Sequence, residues 1–225
     1  MAQIWAADCS PWLAPAELSR AMPLLDAARQ QAVSRFADPL RRAQCAAAGL
    51  LLRHLFSADG TPPVLTHGSH GKPYLANEPH RFFSLSHTGC RVYCAVAQQE
   101  IGMDAETAGR CRDRVARRCF TAAELAWMAE APDERFVRLW VLKEAYLKFT
   151  GFGLVLPMSS FTVPPAAAPS EGPGGCRFAE AYDDGVYAAV CLSPEDRYTG
   201  LRTLPAAQLY TLARDTRQSA SPSSR

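Results

Sequence analysis

The sequence predicts an α+β fold built from two similar halves, 1–102 and 103–212, packed on each other as a pseudo-dimer. Three observations lead there. Segments of strand periodicity and segments of helical periodicity come in runs rather than in strict βαβ alternation, which favours α+β over a parallel doubly wound sheet. The stretch Val92–Val96 (VYCAV) is echoed by Val186–Val190 (VYAAV). Each copy ends a hairpin, and each hairpin lies downstream of a long helix. The length of 225 residues allows one large domain or two small packed ones.

Taken in order, residues 3–7 read as a first strand. Asp38 followed by Pro39 is an N-cap with proline at the first helical position, and Ala43, Ala47, Leu50, Leu51 and His54 continue at helical spacing. Residues 57–63 form a turn and 64–66 a short strand. Residues 67–73 form a glycine-rich loop carrying His67, His70 and Lys72. Residues 82–86 and 91–97 make a hairpin, the second arm alternating Val92, Cys94 and Val96 with Tyr93, Ala95 and Ala97. Residues 101–106 form the next strand. Thr121 and Glu124 fit a capping box ahead of a helix at 125–128. A longer helix runs from Glu134 to Thr150, with Gly151 as its stop. Proline and glycine make 164–175 an irregular, mobile loop. Residues 176–181 and 186–192 pair across Asp183, Asp184 and Gly185, and 197–203 adds a strand. Residues 213–225, polar and serine-rich, read as a disordered tail.

Composition excludes some functions. The chain is 48% hydrophobic and 20% charged with a formal net charge of +2, the balance of an ordinary soluble globule rather than a nucleic-acid binder. No apolar run is long enough to span a bilayer. The N-terminal stretch carries Asp8 and no basic segment, so no signal peptide is expected. The eight cysteines are scattered without a Cys-x-x-Cys pair. Cys90 and Cys94 read as fillers on one strand face, and a reducing cytoplasmic compartment is expected. Arg110, Arg112, Arg114, Arg117 and Arg118 crowd one stretch. They read either as a solvated helix face or as a docking surface for an acidic partner.

The chemistry-bearing residues lie in the middle of the chain. Asp104 and Glu106, two apart on a strand, point to one face. Side-by-side carboxylates repel unless a cation or water separates them, and hard oxygen donors at this spacing suit Mg²⁺. A solvated strand end is the plain alternative. Trp140, Glu144 and Lys148, each four apart, form one helix stripe. Glu144 as a third metal ligand and Lys148 as a phosphate partner fit it, although an exposed Glu–Lys pair has the same spacing. Ser86 and His87 face opposite ways on a strand and lack a Gly-x-Ser-x-Gly elbow, so phosphate contact suits them better than nucleophile–base catalysis. The loop 68–73 lacks the glycine spacing of a Walker loop, but Lys72 and its backbone suit a nucleotide phosphate or base.

Five ordered motifs carry a resemblance. They are Gly71-Lys72-Pro73; Ser84, Ser86, His87 and Gly89 around the first hairpin; Gly102, Asp104 and Glu106; Trp140, Lys143, Glu144 and Lys148; and Gly151 with Gly153. The set resembles the 4'-phosphopantetheinyl transferases of the pseudo-dimeric, surfactin-synthetase-activating type. The resemblance implies an active site in the cleft between the halves and Mg²⁺ on Asp104, Glu106 and Glu144, with coenzyme A as co-substrate. It puts Ser86 and His87 on a phosphate, Lys72 and Pro73 on the adenine, and Lys148, with Lys143, on phosphate charge. Arg29 and Arg35 fall near positions that grip the 3'-phosphate, whereas Ala32 and Gln44 stand where basic residues are common. Arg41 or Arg42 then compensates. The implied reaction is transfer of the 4'-phosphopantetheine arm to a serine of an acyl, polyketide or peptidyl carrier protein, releasing 3',5'-ADP, with Glu144 as base. A monomer in the cytoplasm, with no nucleic acid or membrane partner, completes the expectation. A degenerate module that holds coenzyme A or a carrier without turnover, and an unrelated Mg²⁺-dependent phosphate enzyme, are the alternatives.

Overall fold

The computed structural model describes residues 1–163 and 170–212. In chain order these form β1 (Ala2–Asp8), α1 (Pro15–Ala21), α2 (Ala27–Arg35), α3 (Pro39–Phe56), β2 (Leu65–His67), β3 (Pro73–Leu75), β4 (Phe82–Thr88) and β5 (Arg91–Ala97). There follow β6 (Ile101–Thr107), α4 (Asp113–Cys119), α5 (Ala122–Met128), α6 (Pro132–Thr150), β7 (Ser170–Glu171), β8 (Arg177–Asp183), β9 (Val186–Leu192) and β10 (Tyr198–Leu204). The protein is mixed α+β. One sheet has the order β10-β1-β5-β4, a second β6-β9-β8-β7, and β2 and β3 form a separate ribbon.

Alternation along the strands builds the layers. Ile4, Ala6, Tyr93 and Ala95 of the first sheet pack against Ile101, Met103, Val190 and Leu192 of the second. The opposite face of the first sheet, through Val92 and Cys94, packs on Ala43, Ala47, Leu50 and Leu51 of α3. The opposite face of the second, through Ala189 and Cys191, packs on Leu139, Leu142 and Ala145 of α6. The order is thus helix, sheet, sheet, helix. Even-numbered residues of β6 therefore face α6, and Asp104 and Glu106 are among them.

Local chemistry sets the element ends. The Asp38 carboxylate accepts the Leu40 amide at 2.9 Å and Pro39 opens α3. Thr121 and Glu124 close the expected capping box on α5. Gly151, left-handed at φ 71°, ends α6. The β8–β9 hairpin turns on Asp184 and Gly185, both at positive φ.

Several expectations change. Helices α1 and α2 fall where none was assigned, and the arginine-rich stretch, for which a helix face was one reading, carries α4. Cys90 sits in the β4–β5 turn, exposed, while Cys94 is buried. The expected division between residues 102 and 103 falls inside β6, and β10, placed in the second half, pairs in parallel with β1. Within the anticipated loop 164–175, residues 164–169 lie outside the described residues, Ser170–Glu171 pair with β8, and Pro173–Gly175 form a 3-10 turn. The tail expected at 213–225 lies outside the described residues. Among the described residues no helix is long and apolar enough to cross a membrane.

Candidate active site

A single glycine lets α6 approach the site strand. A Cβ at Gly102 would meet the Ala145 carbonyl oxygen and the Phe149 amide of α6, so only glycine allows this crossing. The crossing sets Glu144 and Lys148 beside Asp104. Lys148 Nζ donates to Asp104 Oδ1 at 2.7 Å and to the Leu85 carbonyl at 3.2 Å. Ser86 Oγ donates to the same Oδ1 at 2.7 Å.

These groups line a cleft of about 490 Å³. Its acidic residues are Asp104, Glu106 and Glu144; its basic ones are Arg29, Arg41, His87 and Lys148; Phe36 and Trp140 add aromatic surface. Burial, then the Asp104 charge, raise the pKa of Glu144 while Lys148 lowers it. Burial, then Asp104, likewise raise Glu106, against the Thr88 hydroxyl, Arg112 and Lys148. His87 is exposed at the cleft, yet partial packing of its ring and the Arg41 guanidinium lower its pKa.

Three carboxylates with one lysine among them form an excess of negative charge that a divalent cation would relieve. The Asp104 Oδ2 atom is buried and has no hydrogen-bond partner. Buried carboxylate oxygens require a partner, and the donor set is all hard oxygen, so the residues fit Mg²⁺. Among the described residues, no three His, Cys, Asp or Glu side chains already stand grouped around a metal position. Lys148 holds one Asp104 oxygen instead.

A second cavity of about 260 Å³ adjoins the first, sharing Leu85, Glu144 and Lys148, and is lined by His70, Gly71, Lys72, Pro73, Gly151 and Leu154. Lys72 does not offer its ammonium there. Its Nζ pairs with Glu100 and donates to the Ile101 and Phe149 carbonyls at 3.1 Å, pinning α6 to the start of β6. Burial lowers its pKa despite Glu100.

Lys143 is a correction. It is fully buried, paired with Glu124 at 2.9 Å and bonded to the Met158 and Phe161 carbonyls at 2.7 Å. One residue along a helix is about 100° around it, so Lys143 faces α5 while Glu144 faces the cleft. It therefore cannot meet a phosphate there. Arg35 is exposed on α2 and does not line the cleft. Arg29 does line it. A Cβ at Gly49 of α3 would collide with the Arg29 Cδ, so that glycine gives the arginine stem its path.

Residues that sequence reasoning passed over also line the cleft. Phe36 and Cys45 are two, and the first had no signal beyond its place after α2. Gln44 was noted only as a missing base. Its Nε2 ties α3 to the β4–β5 turn by donating to the Gly89 carbonyl at 2.8 Å.

Comparison with known proteins points to a family. Residues 100–191 match the model of the 4'-phosphopantetheinyl transferase superfamily. The 4'-phosphopantetheinyl transferase Sfp of Bacillus subtilis is 38% identical over 98 residues, 42% of this chain and 44% of that protein. The transferase psf-1 of Bacillus pumilus is 29% identical over 154 residues, 65% of this chain and 66% of its own length. The L-aminoadipate-semialdehyde dehydrogenase-phosphopantetheinyl transferase of Eremothecium gossypii is 37% identical over 158 residues, 62% of this chain and 55% of its own length. The chain thus covers less than half of the Bacillus subtilis relative.

Proposed function

The chain belongs to the 4'-phosphopantetheinyl transferase superfamily, and on that premise we propose that it moves the 4'-phosphopantetheine arm of coenzyme A onto a serine of a carrier protein. The carrier is of the acyl, polyketide or peptidyl type, and 3',5'-ADP leaves. The observation that carries this reading is the meeting of Asp104, Glu106 and Glu144 with Lys148, Arg29 and Arg41 in one cleft. Carboxylates and basic groups lining one cleft suit a ligand with more than one phosphate group and a cation between protein and ligand.

Asp104, Glu106 and Glu144 would hold Mg²⁺, which when bound neutralises pyrophosphate charge and the charge that develops as the bond to the leaving phosphate breaks. The Asp104 Oδ2 atom is the open donor. Lys148 reaches the same carboxylate and adds a second positive charge beside the reacting phosphate. Arg29 and Arg41 grip a phosphate in the same cleft, Arg41 taking the part expected of a basic residue at Gln44 or of Arg35. The neighbouring cavity, with Pro73 and Gly151 in its walls, takes the adenine, and the Lys72 stem packs there while its ammonium stays with Glu100. Glu144, lining the cleft beside Lys148, accepts the serine proton at its carboxylate.

The halves act as a pseudo-dimer with the cleft between them. The support is that α3 precedes the β4–β5 hairpin and α6 precedes the β8–β9 hairpin. Both halves of the site then lie in one chain, which favours a monomer, and a coenzyme A substrate favours the cytoplasm. Glu144→Gln and Asp104→Ala should each abolish apo-to-holo conversion of a carrier, read as a mass gain on the carrier, with circular dichroism unchanged. Full conversion by either variant contradicts the metal assignment.

A further inference from the structure

Three hydroxyls of β4 stand in line along the edge of β6. Ser84 Oγ accepts the Met103 amide at 2.9 Å, Ser86 Oγ the Ala105 amide at 3.2 Å, and Thr88 Oγ1 the Thr107 amide at 3.1 Å. β4 and β6 are edges of different sheets and share no backbone ladder. The outward amides of a covered edge strand need acceptors. Here alternate side chains of the neighbouring strand supply them.

The three hydroxyls differ in where their protons go. Each has only one to give. Ser86 gives its proton to Asp104 Oδ1 at 2.7 Å. Thr88 Oγ1 shares a hydrogen bond with Thr107 Oγ1 at 2.9 Å, in which either hydroxyl can donate, and reaches Glu106 Oε2 at 3.4 Å. Asp104 is therefore held closely by the ladder, while Glu106 is reached only by the longer contact from Thr88. A Ser86 hydroxyl so engaged has no proton left for a phosphate.

We propose that this hydroxyl ladder fixes the register between the two sheets, and that Ser86 is a positioning residue that aims Asp104 so that its Oδ2 is presented to a divalent cation. One side chain holds the β6 backbone through its oxygen and the carboxylate through its proton. The metal half of this inference rests on the proposed function; the register half does not.

Amide hydrogen exchange and Mn²⁺ binding by paramagnetic resonance, on the whole chain, test the two halves separately. Ser86→Val and Ser86→Thr are nearly equal in size and differ in the hydroxyl. Ser86→Val should speed exchange at Ala105 about tenfold, the effect of leaving one buried donor unpaired, and weaken Mn²⁺ binding by about the same factor. Ser86→Thr should restore both. Thr88→Val should speed exchange at Thr107 and weaken Mn²⁺ binding less than Ser86→Val does. Unchanged Ala105 exchange in Ser86→Val overturns the ladder. Faster exchange with Mn²⁺ affinity equal to wild type overturns the positioning role, and a wild-type chain that binds no Mn²⁺ overturns the metal reading beneath it. If Ser86→Val does not fold, Ser84→Ala with exchange read at Met103 decides the ladder, and Ser86→Thr with wild-type affinity lost decides against the positioning role.

Discussion

Lys148 and Asp104 meet across the α6–β6 crossing, the ammonium 2.7 Å from Oδ1. The lysine is set directly against Asp104, and it depresses the pKa of both Glu106 and Glu144. Lys148→Met should therefore lower carrier kcat/KM by on the order of a hundredfold, as removal of one aimed electrostatic partner does elsewhere. Steady-state kinetics with the carrier varied at saturating coenzyme A measure this; a loss under threefold contradicts the role.

The acidic residues of the cleft also predict a pH dependence of stability. Glu106 and Glu144 both have pKa values raised above the ordinary 4.5. For such groups the folded state binds protons more tightly than the unfolded one. Stability from this source is present below pH 4.5 and is lost as pH rises through the raised folded values. The Glu106→Gln/Glu144→Gln protein should thus gain Tm relative to wild type as pH is raised from 4.5 to 7. Calorimetry in chelator across that range checks it, and a difference that does not grow with pH contradicts it.

Buried charge elsewhere should behave differently. Lys143 and Glu124 are both fully buried and paired. Breaking one partner of such a pair typically costs about 3–5 kcal/mol, whereas replacing both by apolar residues of similar size costs much less. Lys143→Met should lower urea stability by about that amount, and Lys143→Met/Glu124→Leu should recover most of it. Transfer activity of the folded fraction should persist in both, which a phosphate contact at Lys143 would forbid.

The crossing itself is testable at Gly102. A methyl group there meets backbone of α6, which has little freedom to withdraw. Gly102→Ala should destabilise by about 1–3 kcal/mol, the usual cost of overpacking, and reduce activity further than stability explains, because α6 carries Glu144 and Lys148. Activity equal to wild type would show that the helix need not sit so close.

How much of this was legible follows from where each signal lies. The long helices announced themselves through Asp38, Pro39 and Gly151, and the second hairpin through Asp184 and Gly185, because caps and turns act within a few residues. Helix α2 has Val33 as its buried residue and α4 has Ala116, so neither shows an apolar stripe. The site stripe Trp140, Glu144 and Lys148 was visible because helical neighbours are four apart. Lys143 misled because its partner, Glu124, is distant in sequence. The partners of the Lys72 ammonium, Glu100 and two carbonyls, were hidden for the same reason. The alternation Ser84, Ser86 and Thr88 was a polar stripe on a half-apolar strand, but nothing local says that it faces the amides of β6.

Arginine docking can be separated from the site. Arg112 acts on Glu106, so its replacement disturbs both. Arg114, Arg117 and Arg118 are exposed on α4. Changing these three to Glu should raise the carrier KM about tenfold or more at low salt while leaving coenzyme A affinity unchanged, since surface charge acts mainly on encounter. An unchanged carrier KM removes α4 as the docking face.

The most direct measurement is release of 3',5'-ADP from coenzyme A and Mg²⁺, with and without apo carrier. Release is expected only when a carrier is present, in step with the gain of one phosphopantetheine arm on its serine. Release without any carrier, or none with acyl, polyketide and peptidyl carriers alike, would contradict that expectation.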